Sequence, residues 1–215
     1  MTNRSTGGRV AAYAWLVFAA LNLLDLAFGI TGNASYSLTT LGIAMLLLFG
    51  CGVAYVVGLR PAIIGDDDGV VLRNPLRDVR VPWAAVRRIE GTHALTVRFT
   101  AEDGTEQTSR AWVHQTSPRA QAKAEARARK ERDKGPDVDL RGRTPAAFAA
   151  QQLNEIRDRR RPKSRSGAPD KAAAAKAEAE AEAAHGTVAW SLPAVAALVV
   201  PALAVVVIVI VSAVS

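Results

Sequence analysis

The sequence predicts an α+β membrane protein, with three transmembrane helices and one small antiparallel β-barrel or sandwich that carries a C-terminal helix. Charge is the first observation: the chain of 215 residues has 27 Lys and Arg, and none of them lies in 10–58 or 185–215. These charge-free blocks are also the apolar blocks, as expected where lipid is the solvent. Between them, the apolar residues recur with the two-residue period of strands rather than with helical spacing.

The apolar blocks predict a transmembrane hairpin followed much later by a third span. After an N-terminal tail (1–9), residues 10–30 and 38–58 each supply about 20 apolar positions, enough to cross a hydrocarbon core of roughly 30 Å. The second block follows the first almost at once, which favours an uncleaved hairpin over a signal peptide. Residues 188–215 form the predicted third span.

The flanking charges predict the orientation. Arg4 and Arg9 precede the first span and Arg60 follows the second, whereas the connection between the spans is uncharged. Since basic residues concentrate on the cytoplasmic side, we expect a multi-pass protein of the plasma membrane. The N-terminus and residues 59–187 are then cytoplasmic, and the C-terminus is outside.

Asp25 is the one ionisable side chain that the predicted spans contain. Such a residue is a candidate for a proton or ion path. The alternative is structural: Asn22 lies one turn below, and Thr39 and Thr40 of the second span lie at the same depth in an antiparallel hairpin. Polar groups of this kind hold membrane helices together. The predicted intramembrane polar site therefore comprises Asn22, Asp25, Thr39 and Thr40.

Several short strands are predicted between the second span and Val113. Leu95, Val97 and Phe99 alternate with polar residues, as in a strand with one buried face, and Asp103-Gly104 predicts a hairpin turn. The other expected strands are Ala62–Ile64, Val70–Leu72, Val79–Val81 and Gln107–Val113, with turns at Gly65–Gly69 and Asn74-Pro75.

A helix is predicted to close one end of this domain. Thr144 can cap it and Pro145 suits its first position. Its expected apolar face comprises Phe148, Ala149, Leu153 and Ile156. The domain, 59–161, is interrupted by a charged helical insertion at 117–143. Residues 162–187 read as a polar linker and an Ala/Glu/Lys helix leading to the third span.

Two segments carry a family resemblance. The stretch from Gly69 to Arg77, with its Arg73-Asn74-Pro75 turn, and the stretch from Val81 to Val86, with its Val81-Pro82-Trp83 step, resemble the bacterial PH-like domain of actinobacterial membrane proteins of the low-molecular-weight protein antigen 6 type. The resemblance implies a bent β-structure capped by a C-terminal helix, and no enzymatic activity. The insertion at 117–143 departs from the family pattern.

No constellation of side chains predicts catalysis, a metal or a cofactor. Asp66, Asp67 and Asp68 lack the further ligands of a calcium loop, and flanking glycines make a tight turn sufficient. The three histidines are widely spaced and lack the paired ligands of a zinc site. Trp83 and Trp112 are expected in the core.

The basic run after the domain is the predicted anionic-lipid contact. It comprises Arg157, Arg159, Arg160, Arg161, Lys163 and Arg165. Basic clusters near a cytoplasmic leaflet gain about 1 kcal/mol per residue from anionic lipid; plain solvation at a helix end is the competing interpretation. Nucleic acid is not expected as a partner, because aromatic interleaving and a reader motif are missing.

The resulting hypothesis is a non-enzymatic interaction module, displayed at the cytoplasmic face, that binds a protein partner or an anionic membrane surface. The alternative is a small transporter or channel subunit that works through its spans and Asp25. The sequence leaves the partner and the oligomeric state open.

Overall fold

The computed structural model describes residues 1–31, 36–113, 144–160, 179 and 183–214. The predicted insertion at 117–143 and most of the predicted linker and helix at 162–187 lie outside these residues. In chain order, the elements are β1 (Thr2–Asn3), α1 (Thr6–Phe28), α2 (Leu38–Val53) with a π-helical extension (Ala54–Leu59), β2 (Ala62–Gly65), β3 (Gly69–Arg73), β4 (Arg77–Pro82), a 3-10 turn (Trp83–Ala85), β5 (Val86–Gly91), β6 (Leu95–Thr100), β7 (Glu106–Arg110), α3 (Pro145–Arg160), β8 (Thr187–Trp190) and α4 (Leu192–Val214).

The described chain divides into two compact units. One contains the strands and α3, with residues 1–4, 62–74 and 78–189; the other contains the apolar helices, with residues 5–61, 75–77 and 190–215.

The helical unit has three helices long and apolar enough to cross a membrane, Thr6–Phe28, Leu38–Leu59 and Leu192–Val214. This confirms the prediction that the chain contains three such helices. α1 and α2 begin at serine caps, where the Ser5 and Ser37 side chains accept hydrogen bonds from Gly8 N and Thr40 N. The third helix begins later than predicted, at Leu192, because the residues just before it form strand β8.

The β unit has a five-stranded sheet, ordered β1-β2-β3-β4-β8, and a three-stranded sheet, ordered β5-β6-β7. Within the first sheet, Ile63 lies opposite Leu72, and Leu72 lies opposite Val79. Since directly opposed residues share a sheet face, these side chains form one apolar surface. They are buried in a core that also contains Leu95, Val97 and Phe99 of β6, which confirms the predicted alternation.

The β6–β7 hairpin turns at Asp103-Gly104, as predicted. Gly104 has φ 77°, a left-handed conformation that glycine adopts at no steric cost. The backbone N–H and the hydroxyl of Thr105 both donate to Asp103 Oδ1, at 3.0 and 2.7 Å. These hydrogen bonds favour the carboxylate and hold the pKa of Asp103 below its ordinary value.

Helix α3 begins as predicted, because the Thr144 hydroxyl caps Ala147 N at 3.2 Å and Pro145 is the first helical residue. Its buried face differs from the predicted one. Ala149 and Leu153 are buried as expected, but Phe148 is 43% exposed. The helix instead buries Ala146 and Ala150, and a Cβ on Gly91 of β5 would collide with the Ala146 carbonyl. This close approach leaves room for alanine and turns phenylalanine outward.

Candidate functional site

A groove of about 690 Å³ lies in the β unit beside the turn between β2 and β3. The turn supplies Asp66, Asp67 and Asp68, all exposed. Asp66 shapes it, since its Oδ1 accepts hydrogen bonds from Asp68 N at 3.1 Å and Gly69 N at 2.9 Å. The Trp83 indole donates to Asp66 O at 3.0 Å. The aspartates are thereby held at one wall of the groove.

The other side chains of the groove come from distant parts of the sequence. Ile156 and Arg159 of α3 line it together with Met1 and Thr2 of the N-terminal segment, and Ile64 and Gly65 complete the lining. Arg159 and the Met1 ammonium, which donates to Gly65 O at 2.7 Å, face a groove that three aspartates line, so that acidic groups outnumber basic ones by three to two. This arrangement suits a cationic segment better than a phosphate, because like charges repel.

The Arg157 side chain does not line this groove. Its guanidinium donates to Val86 O at 2.8 Å and to Arg87 O at 3.5 Å, where β5 shifts its register against β6. Asn154, one turn earlier, donates to Ile89 O at 3.4 Å. Helix α3 therefore satisfies carbonyl groups along the β5 edge, and Arg157 has a structural role that the sequence did not indicate.

The rest of the predicted basic run is only partly described. Arg159 also lies 4.0 Å from Glu155, in an exposed pair of the kind that contributes little stability. The side chain of Arg160 and the residues Arg161, Lys163 and Arg165 lie outside the described part of the chain. Lipid contact through this run stays a prediction.

The predicted intramembrane polar residues form hydrogen bonds with residues that are near them in the sequence. Both carboxylate oxygens of Asp25 accept hydrogen bonds from Thr31, from its N–H at 2.8 Å and its hydroxyl at 2.9 Å. The Asn22 side chain donates to Phe18 O at 2.8 Å. Thr40 takes part in the Ser37 cap of α2, and Thr39 lies exposed in the first turn of that helix. The hydrogen bonds of Asp25 and Thr40 thus stabilise helix ends. A role of these two residues in helix packing or transport stays a prediction.

Within the helical unit, residues 75–77 contact the ends of the apolar segments. Arg60 Nη1 donates to Pro75 O at 3.3 Å, and Ser191 N donates to Leu76 O at 2.9 Å. The Arg77 guanidinium lies 4.5 Å from the centre of the Trp190 ring, a cation–π contact. These contacts fix the backbone where α2 ends and α4 begins.

Asn74 has a structural role that its position in a turn motif did not reveal. Its side chain donates to Arg110 O at 3.0 Å and accepts from Trp112 N at 2.8 Å. The Asn74 amide thus forms, at the end of β7, hydrogen bonds of the kind that a neighbouring strand would form.

Trp112 itself is 45% exposed, so the expectation that it belongs to the core is wrong. Trp83 is partly buried and packs against the core.

In the described ranges, no cluster of three or more His, Cys, Asp or Glu side chains could hold a metal ion.

A comparison with protein-family models matches residues 60–131 to the family described as Bacterial PH domain. The match begins just before β2 and contains none of the three apolar helices. It supports a PH-like domain in the β unit, in agreement with the two antiparallel sheets. Neither curated proteins nor solved structures gave a match.

Proposed function

We propose that this chain is a non-enzymatic, membrane-anchored interaction module whose PH-like domain binds a protein partner at the cytoplasmic face. The observation that carries the proposal is the way the chain connects its elements. Two residues join β1 to α1, two join the end of the α2 segment at Leu59 to β2, and one, Ser191, joins β8 to α4. All three strands belong to the five-stranded sheet.

These connections attach the β unit to an apolar helix at each of three points in the chain. A membrane that the helices span therefore also retains the β unit, where it can bind other molecules. The basic residues at the ends of the first two apolar helices, Arg4, Arg9 and Arg60, support a cytoplasmic location for this domain.

The acidic groove supports a protein partner that presents a basic segment. Exposed Asp67 and Asp68 supply negative charge, and Ile64 and Ile156 supply apolar surface, a combination that suits a lysine or arginine side chain with its aliphatic stem. Arg157 is engaged with backbone carbonyls and Arg159 lines the same groove as the aspartates. Both observations favour a protein partner over an anionic surface at this part of α3.

The narrower resemblance to the actinobacterial antigen 6 type is part of the proposal, supported by the Arg73-Asn74-Pro75 turn and the Val81-Pro82-Trp83 step. The transporter alternative rests on Asp25. Because both of its carboxylate oxygens are hydrogen-bonded to Thr31, the geometry gives that alternative no added support.

Crosslinking capture from native membranes tests the proposal. We expect the full chain to capture a reproducible partner, identified by mass spectrometry, and the paired changes Asp67→Lys and Asp68→Lys to abolish most of that capture by reversing the charge of the groove. The single change Glu102→Lys is a control for charge reversal elsewhere on the domain, since Glu102 is an exposed carboxylate outside the groove. Capture that is unaffected by the groove changes, or the lack of any reproducible partner, would argue against the proposal.

A further inference from the structure

Strand β7 is an edge strand with a row of backbone groups directed away from its sheet. The N–H of Ala101 donates to Thr105 O at 2.9 Å, and that of Ala111 donates to Leu95 O at 2.8 Å. The odd-numbered residues between them therefore bond to β6, since bonding direction alternates along an antiparallel strand. The even-numbered residues Glu106, Thr108 and Arg110 direct their N–H and C=O groups to the open side.

The other sheet edges are shorter or partly covered. In the first sheet, the edges are formed by β1, of two residues, and β8, of four. In the second sheet, Arg157 and Asn154 of α3 bond to carbonyls along β5. Within the described residues, β7 pairs only with β6, and Asn74 covers only its last carbonyl. Proteins usually cover or blunt such edges because an exposed edge pairs with another chain.

The side chains of β7 are exposed and complement their own sequence. The strand reads Glu-Gln-Thr-Ser-Arg and is exposed along most of its length. In an antiparallel pair of two copies centred on Thr108, Glu106 lies opposite Arg110, Gln107 lies opposite Ser109, and Thr108 lies opposite itself. Opposite charges and Thr–Thr pairs directly across an antiparallel ladder are both stabilising. A parallel in-register pair would instead place Glu106 opposite Glu106 and Arg110 opposite Arg110.

Backbone direction agrees with the same register. The three opposed pairs 106–110, 108–108 and 110–106 are all formed by even-numbered residues, whose N–H and C=O groups face outward. In an antiparallel ladder, Thr108 exchanges two hydrogen bonds with its copy, and the Arg110 N–H donates to Glu106 O of the other copy. The Arg110 carbonyl keeps its bond to Asn74. Charge and backbone direction thus select one arrangement among the ways in which two copies could meet.

From this register, we propose that a second copy of this chain pairs with β7 in antiparallel fashion across a two-fold axis at Thr108. The two three-stranded sheets then form one continuous sheet of six strands. A short, exposed interface of this kind is weak between free molecules, but confinement to one membrane raises the effective concentration of the two copies. The pairing does not involve the acidic groove, so the tests of pairing and of partner binding are independent of each other.

Disulfide crosslinking in native membranes tests the register. The full chain carries Cys51→Ala to remove its native thiol, and Thr108→Cys is added. Hydrogen-bonded antiparallel pairs have Cα atoms about 5.5 Å apart, within the roughly 4.4–6.8 Å that a disulfide spans. Mild oxidation is expected to convert Thr108→Cys into a covalent dimer. Monomer alone after oxidation would overturn the proposal.

Glu102→Cys is the control, because it is an exposed position of the same hairpin and leaves both charged residues of β7 in place. In the proposed register, the two copies of residue 102 lie at opposite ends of the paired strands, more than roughly 14 Å apart, and do not crosslink. Equal crosslinking of both variants would overturn the register, since random collision or parallel pairing gives that result.

Charge exchange gives a second test. Added to Thr108→Cys, Arg110→Glu places two carboxylates opposite each other twice in the dimer and is expected to reduce the crosslinked fraction several-fold. Adding Glu106→Arg to that variant restores opposite charges across the axis and is expected to restore crosslinking. A crosslinked fraction that neither change alters would contradict the pairing of Glu106 with Arg110.

Discussion

Leu153→Ala is expected to lower the free energy of opening of the β unit by about 2–5 kcal/mol, the usual cost of truncating a large buried aliphatic side chain. Leu153 is 0% exposed and belongs to the same core as Leu72 and Phe99. Its removal leaves a cavity under α3 that the sheets cannot fill, because both are fixed by their ladders. Hydrogen exchange of the β6 amides in the detergent-solubilised full chain measures the loss, as faster exchange.

Phe148→Ala is the control for this prediction. It removes a larger side chain from the same helix, but that side chain is 43% exposed. We therefore expect Phe148→Ala to lower the free energy of opening by less than about 1 kcal/mol, as for a surface substitution. If Phe148→Ala accelerated exchange more than Leu153→Ala, the register of α3 described here would be wrong.

Gly52→Ala is expected to destabilise the helical unit by about 1–3 kcal/mol, the usual cost of overpacking. A Cβ at Gly52 would collide with the backbone carbonyl of Ala197 in α4. Backbone cannot rotate aside as a side chain can, so the two helices must separate. Close approach at small residues is a main source of helix association in membranes, and separation weakens it. Titration with dodecyl sulphate in mixed micelles, followed by circular dichroism, measures the change.

Gly42→Ala provides the matched comparison in the same helix. A Cβ at Gly42 would lie 3.6 Å from Ile208 Cγ2, an ordinary van der Waals contact, and alanine has the higher helix propensity. We expect no loss of stability from this change. Equal destabilisation by both substitutions would show that contact with α4 does not distinguish the two positions.

The parts of the fold that sequence reasoning found are those with a strong local pattern. The alternation of Leu95, Val97 and Phe99 gave the position and the buried face of β6. Uninterrupted apolar stretches predicted three helices of membrane-spanning length. Thr144 and Pro145 marked the start of α3. In each case, the signal lies within a few neighbouring residues, so the rest of the chain is not needed to interpret it.

Strand β5 was not predicted because its pattern is interrupted. The register against β6 shifts between Val86 and Arg88, which places two adjacent arginines between the buried Val86 and Ile89. A bulge of this kind breaks the two-residue period that identifies a strand. The carbonyl of Val86 at its edge accepts a hydrogen bond from Arg157, which is far away in the sequence. No local sequence pattern predicts such a partner.

Strands β1 and β8 were missed for a different reason. Thr2–Asn3 is too short to show alternation, and Thr187–Trp190 is exposed along its length and adjoins an apolar span. Both are defined by pairing with distant strands. The groove was missed for the same reason, since Arg159 meets the Asp66–Asp68 turn only through the packing of α3. The acidic turn and the basic run were visible in the sequence, but their proximity was not.

Thiol labelling in cells tests whether the PH-like domain lies at the cytoplasmic face of the membrane. In a Cys51→Ala background, Tyr36→Cys places a thiol before α2 and Glu102→Cys places one in the β6–β7 hairpin; both positions are exposed. With a membrane-impermeant maleimide, we expect Tyr36→Cys to be labelled in intact cells and Glu102→Cys only after permeabilisation. Labelling of Glu102→Cys in intact cells would place the domain outside and contradict the proposed cytoplasmic location.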